Sequence, residues 1–286
     1  MKKFADSLMQ FFRHHPLGGL ALLFILMMLG VGLMAPSLAP YDPTQTNASA
    51  ILQAPNAAHW MGTDEYGRDI LSRIMHGART AMVLAIGASL MGSLIGAVLG
   101  LSAAFFGGTF DAVMQRCLDI MLAIPLIVFA LVLAAVLGHR MVLGFDVNLM
   151  LAVAVPSIPK VAKVLRGAAL SVRTMPYIDA ALAAGYSSPR IMWGHMAPNL
   201  VAPWLVLITA MGAQAILLES SLSYLGIGVV EPTPAWGLML SGMGTQLFAE
   251  APWMVVFPGL AVALTVFSFS LLGDAVRDFL DPKLRL

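Results

Sequence analysis

The residues with chemistry to offer are few: six histidines, one cysteine and a handful of acids set in long apolar runs. His14, His15, His59, His76, His139 and His195 make no pair with one another or with Cys117 at helical ligand spacing, so no metal centre is expected. No glycine-rich loop ends in Lys-Ser or Lys-Thr, so the chain carries no nucleotide-binding P-loop, and no Ser/His/Asp constellation forms a motif. The lone Cys117 has no disulfide partner within the chain. Two carboxylates remain. Asp119 stands three residues after Arg116, the spacing of a helical ion pair. Glu219 precedes Ser220, Ser221 and Ser223 inside an apolar run, where a carboxylate either hydrogen-bonds a neighbouring helix or lines a polar pathway. Glu219, Ser220, Ser223 and Asp119 are the candidates for pathway or polar packing.

The elements that must position them are set by composition. Of 286 residues, 59% are hydrophobic and 11% charged, against about 25% charged in a soluble domain. With a mean hydropathy of +0.85, the chain cannot cover a water-facing surface of ordinary size, and a net charge of +1 excludes a global basic field for nucleic acid. An all-α integral membrane protein follows. Apolar runs of spanning length cover 17–38, 81–106, 117–137, 147–164, 200–225 and 253–272. Six spans is the expected count and five the alternative, because Pro156, Pro159, Lys160 and Lys163 interrupt the fourth run. The first run is read as a retained anchor rather than a signal peptide, since Pro40 follows its best cleavage site.

With the amino terminus inside, all basic residues except Arg68, Arg73, Arg79 and Arg140 fall on the cytoplasmic side, the usual bias. The resulting layout is a cytoplasmic segment 1–16, a first span 17–38, an outer segment 39–80, a five-helix core 81–272 and a cytoplasmic tail 273–286. Within the outer segment, Ile70, Leu71, Ile74 and Met75 share a helical face, with Asp69 and Arg73 spaced to pair. That predicts a short amphipathic helix at the membrane surface. In the second span Ala88, Gly92, Gly96, Gly100 and Ala104 put a small residue on one face at every fourth position, a surface for close helix contact in lipid.

The polar stretch 171–199 reads as two short helices. Thr174 caps the first, Pro176 fits its first turn, Asp179 lies near its positive end and Gly185 ends it. Ser187 or Ser188 caps the second, and Pro198 stops it. Asp179-Ala180-Ala181, then Gly185, then His195-Met196-Ala197-Pro198 resembles the EAA loop of ABC-importer permeases. Three further stretches narrow the resemblance to the C-type permeases of dipeptide, oligopeptide and nickel importers: Gly62 to Arg73, Leu222 to Gly228 with Pro232 to Gly237, and Gly273 to Pro282. The likeness runs from about Pro36 to the carboxyl end. Two positions depart from the pattern, Asp179 for the usual Glu and Ala197 for the usual Leu.

The resemblance implies a subunit of the bacterial inner membrane, with both termini cytoplasmic, that pairs with a homologous second permease. Two cytoplasmic ATPases would bind the ATP and Mg, none of it held by this chain, and an extracytoplasmic binding protein would deliver the solute. It further implies that Asp179, Ala180, Ala181, Gly185, His195 and Pro198 belong to the loop that docks on the ATPase. Dipeptides, longer peptides, nickel, glutathione and opine-like compounds all fit the family. The rival readings are a stand-alone secondary transporter or channel, which would need its own coupling-ion groups or selectivity ring, and an intramembrane enzyme, which would need a nucleophile–base or metal constellation.

Overall fold

A computed structural model describes residues 9–142, 144–241 and 246–280. The expectations for residues 1–8 and 281–286, parts of the two terminal segments, lie outside the described residues. The chain is a helical membrane bundle. Helix α1 (Pro16–Leu38) is followed by a loop with one 3₁₀ turn and then by α2 (Ile70–Phe106). Next come α3 (Gly108–Ala123), α4 (Leu126–Leu137), a two-residue ladder β1 (Met141–Val142) with β2 (Phe145–Asp146), α5 (Val147–Ala154) and α6 (Ile158–Arg173). The short α7 (Pro176–Ala183) and α8 (Ser188–Ile191) lead into α9 (Ala197–Tyr224), then α10 (Trp236–Met239) and α11 (Trp253–Leu280). Among the described residues five helical stretches are long and apolar enough to cross a membrane, and a sixth if the bent pair α3–α4 is one span.

Helix α2 organises the bundle. Its small-residue stripe faces α5 and α6: a Cβ at Gly92 would stand 2.9 Å from the Ala154 carbonyl, one at Gly96 2.7 Å from Val161 Cβ, and one at Gly100 2.9 Å from the Arg166 nitrogen. Ala88 and Ala104 are buried on the same face. Apolar burial drives no association in lipid, so this close approach supplies dispersion contact that bulkier side chains would forfeit. Ala81, Ala85 and Ala88 of α2 pack with Ile216 and Leu222 of α9 and with Trp236, which is fully buried and donates its indole N–H to the Ile74 carbonyl at 3.0 Å. Gly18 and Gly32 bring α1 against Ala275 of α11 and Arg79 of α2. The start of α1, the end of α11 and the 171–199 loop therefore share one end of the bundle, hereafter the loop end.

Three expectations need correction. The outer segment holds no separate surface helix: α2 begins at Ile70, and Ile70 and Ile74 are buried in its first turns. The third span is broken, since α3 ends at Ala123 and α4 leaves at 91°. Pro125 supplies no N–H and holds Ile124 extended (φ −84°, ψ 127°), which ends the helix there. Pro198 does not stop the second loop helix. A π turn over Met192–Met196 carries α8 straight into α9, making one helical run from Ser188 to Tyr224. Inside that run Pro198 has no N–H to give, and the wider turn just before it, where the Ala197 N–H reaches the Met192 carbonyl, accommodates the missing bond.

The α2–α6 approach is testable. Gly100→Val should destabilise the fold by about 1–3 kcal/mol through forced separation of backbones. Gly30→Val, where a Cβ meets nothing within 4 Å, should cost much less, as read from unfolding midpoints in detergent. Equal midpoints for both variants would remove the stripe as the packing determinant.

Candidate functional site

At the end opposite the loop, the Gly62–Arg73 stretch folds as a clasp. Gly62 and Gly67 adopt positive φ (+75° and +73°), which glycine enters without penalty. Asp64 Oδ1 accepts the backbone N–H of Tyr66 and of Arg68 at 2.9 Å each, and its Oδ2 accepts Arg68 Nε at 2.6 Å. Arg68 Nη1 reaches Glu231 Oε2 at 2.8 Å, and Arg73 Nη2 reaches Glu231 Oε1 at 3.2 Å. Burial pulls the Arg68 guanidinium down, but Glu231 and Asp64 outweigh it and hold the group above its ordinary value. Burial pushes the Glu65 carboxyl up. The expected Asp69–Arg73 pair is not formed. Asp69 instead caps α2, accepting Ser72 N–H at 2.8 Å and contacting His59 Nδ1 at 2.9 Å. Trp253 adds an indole N–H to the Thr63 carbonyl at 3.1 Å.

Beside the clasp lies a cavity of about 390 Å³ lined in part by Thr80, Leu84, His139, Asp146, Val229 and Glu231. His139 Nδ1 sits 2.6 Å from Asp146 Oδ2, and Asp146 Oδ1 accepts the N–H of Asn148 and Leu149, capping α5. Burial raises the Asp146 carboxyl, but His139 and the backbone donors outweigh burial and leave it below the ordinary value.

Glu219 does not line that cavity. It is 1% exposed, taking Ser223 Oγ–H at 2.8 Å and Ser220 Oγ–H at 3.4 Å. Ser223 Oγ also accepts the Val229 N–H at 3.0 Å, which ties the end of α9 to the following turn. Glu219, Ser220 and Ser223 thus stand together, while Asp119 lies apart on α3, exposed, in an ion pair with Lys163 of α6 rather than with Arg116. A second pair, Asp111–Arg166, parallels it.

At the loop end, α7 has Pro176 in its first turn and Met175 at its N-cap; Thr174 donates its hydroxyl to the Ser171 carbonyl instead of capping. Ile178 and Ala181 are buried in a cluster with Leu101, Ala104, Val172 and Met196, so the loop is anchored on its own chain. Ala181, one of the expected docking positions, faces inward. Asp179, Ala180, Gly185 and Pro198 are exposed, and His195 is half-buried against Tyr186. Gly185 takes φ +76° with open space around it. Arg173 Nη1 donates to the Ala104 carbonyl at 2.7 Å, pinning the end of α6 to α2.

Glu231 and Lys163 escaped the sequence reading as partners, because each answers a residue distant in the chain. The available signal was Arg68 and Arg73, two cations outside the basic bias that needed an acid.

The family model described as "Binding-protein-dependent transport system inner membrane component" matches residues 92–286, and one described as "N-terminal TM domain of oligopeptide transport permease C" matches residues 5–55. The chain is similar to the dipeptide transport system permease protein DppC of Escherichia coli strain K12, at 41% identity over 96% of this chain and 92% of that one. It is 37% identical to the di/tripeptide transport system permease protein DppC of Pseudomonas aeruginosa, over 96% and 91%. It is also 36% identical to the glutathione transport system permease protein GsiD of Pectobacterium atrosepticum, over 92% and 86%.

Because the folded Asp146 carboxyl lies below its unfolded value, its stabilisation is complete above the ordinary carboxylate range and is lost as pH falls through the folded value. Hydrogen exchange, corrected for intrinsic rates, should show the Asn148 and Leu149 amides protected from neutral pH to the ordinary range and released below it. Asp146→Ala should weaken that protection at neutral pH, by about 0.5–2 kcal/mol for a lost cap, and leave little difference from the wild type in acid. Protection that persists in acid would mean the cap is not ionic.

Proposed function

The chain belongs to the family of binding-protein-dependent transport system inner membrane components, and on that premise we propose that it forms half of the pathway of an ATP-driven peptide importer. The observation that carries the peptide assignment is the 41% identity with a dipeptide permease across nearly the whole of both chains. The other half of the pathway is a homologous second permease; ATP hydrolysis belongs to two separate cytoplasmic subunits, and a binding protein delivers the peptide outside.

In this reading the loop end is cytoplasmic and the membrane is the bacterial inner one. The charge pattern supports that orientation. Arg68 and Arg73, two of the four basic residues outside the bias, are held in the clasp by Asp64 and Glu231. The clasp gives a braced outer rim beside the cavity. The exposed face of α7, with Tyr177, Ala180 and Leu182, is the surface offered to the ATPase. Ala180 leaves a close approach there, and Gly185 turns the chain in a conformation that β-branched residues resist. Asp179 keeps a negative charge on that surface with a reach one methylene shorter than Glu.

Reconstituted with its second permease, ATPases and binding protein, the complex should take up labelled dipeptide only with ATP. ATP-dependent transport of nickel but of no peptide would overturn the assignment. Within that complex, Ala180→Trp should abolish uptake and substrate-stimulated ATP hydrolysis while the unfolding midpoint of the chain stays unchanged. Ala181→Trp should lower the midpoint itself, because its site is inside the cluster. Full coupling in Ala180→Trp would mean the loop docks through another face.

A further inference from the structure

Helix α6 carries a charged face at membrane depth that the bundle does not cover. Its inner side, Val161, Ala162, Leu165, Ala169 and Val172, is buried. Its open side runs Lys160, Val164, Gly167 and Ser171, flanked by Lys163. Lipid-facing surfaces elsewhere in the chain look different: the open side of α1 is Leu17, Leu20, Leu23 and Leu26, each more than half exposed. Depth can be read from the packing register. Ile158 and Val161 lie against Gly96, well before the end of α2 at Phe106, and Lys160 falls midway along Val147–Arg173, one of the stretches long and apolar enough to cross a membrane, rather than on the cytoplasmic side where the charge count placed it.

Charges along this face are mostly paired. Lys163 meets Asp119 and Arg166 meets Asp111, both acids coming from the bent α3. Lys160 has neither a hydrogen-bond nor an ion-pair partner among the described residues, and it is exposed. A lysine at such depth faces water or a partner rather than hydrocarbon. We propose that the open face of α6 lines the water-filled translocation path, and that Lys160 there binds the carboxylate of the passing peptide. The inference rests on the peptide reading above for its ligand, and on the placement of α6 alone for its aqueous surroundings. One unpaired ammonium on a face whose other charges cancel gives an anionic group a single station, held by a charge-assisted bond.

The test uses the assembled complex with Cys117→Ala in this chain. Lys160→Cys should react with membrane-impermeant thiol reagents, scored by mass on this chain, as should the exposed control Arg116→Cys. Lys160→Gln and unmodified Lys160→Cys should lower dipeptide uptake about tenfold, the factor for losing one hydrogen bond to a charged group, and Lys160→Arg should stay within about twofold of wild type. Attaching an aminoethyl reagent, which returns a primary ammonium, to Lys160→Cys should restore uptake; attaching a sulfonate reagent should not. A Lys160→Cys that stays unmodified while Arg116→Cys reacts places the side chain in lipid and overturns the proposal. So does wild-type uptake by Lys160→Gln, or equal rescue by both reagents. A wild-type complex that moves no peptide refutes the peptide assignment instead, and the labelling result then decides whether α6 borders water.

Discussion

The approach of α2 to α6 is the contact on which the remaining structure depends. In lipid no hydrophobic force separates helices from their solvent, so a bundle holds by close packing and by satisfied polar groups. Gly96 and Gly100 let the two backbones approach as no larger residue would, and Gly92 does the same for α5. Once α6 lies there, Arg173 meets the Ala104 carbonyl, and Leu101, Ala104 and Val172 form the floor on which Ile178 and Ala181 seat the loop. The same contact fixes the rotation of α6, so Lys163 and Arg166 reach the acids of α3 while Lys160 stays on the open face.

Ion pairs do the corresponding work for the two ends. At the clasp, Arg73 is 1% exposed yet keeps its charge company in Glu231 and Asp64, the latter at 3.8 Å. Asp64, Arg68 and Arg73 are the buried members of this set, and removing Asp64 leaves uncompensated buried charge, which typically costs about 3–5 kcal/mol. A segment without regular structure between α1 and α2 is thereby fixed to the turn after α9. On α3 the two acids hold a bent and otherwise lightly buried pair of helices against α6.

Much of this was legible from the residues. Hydropathy located the apolar helices, the fourfold spacing of small residues marked the face of α2 that meets α6, and the motif stretches pointed to the family that the comparisons show. What could not be read was decided by tertiary partners. Asp69 and Arg73 are spaced to pair, but helix capping claims the first and a distant glutamate the second. Asp119 prefers a lysine from another helix to the arginine one turn before it on its own. Hydropathy counts residues and does not weigh a backbone donor, so Pro125 broke a run that looked continuous. At Pro198 the opposite happened, because a π turn accommodated a residue that usually ends a helix. Ala181 and Ala180 are adjacent and alike in sequence; only the cluster beneath α7 separates an inward position from an outward one.

The π turn at Met192–Met196 has a mechanical meaning. From it, α9 extends 28 residues to Tyr224, with Pro203 in its second turn, a length of about 42 Å at helical rise. With its fulcrum beside α7, each degree of tilt sweeps the far tip through about 0.7 Å, from the same helical rise. That tip carries Ser223, whose hydroxyl joins Glu219 to the Val229 amide, two residues before the glutamate of the clasp. Geometry alone therefore makes a small tilt at the loop end equal to an ångström-scale displacement at the clasp end.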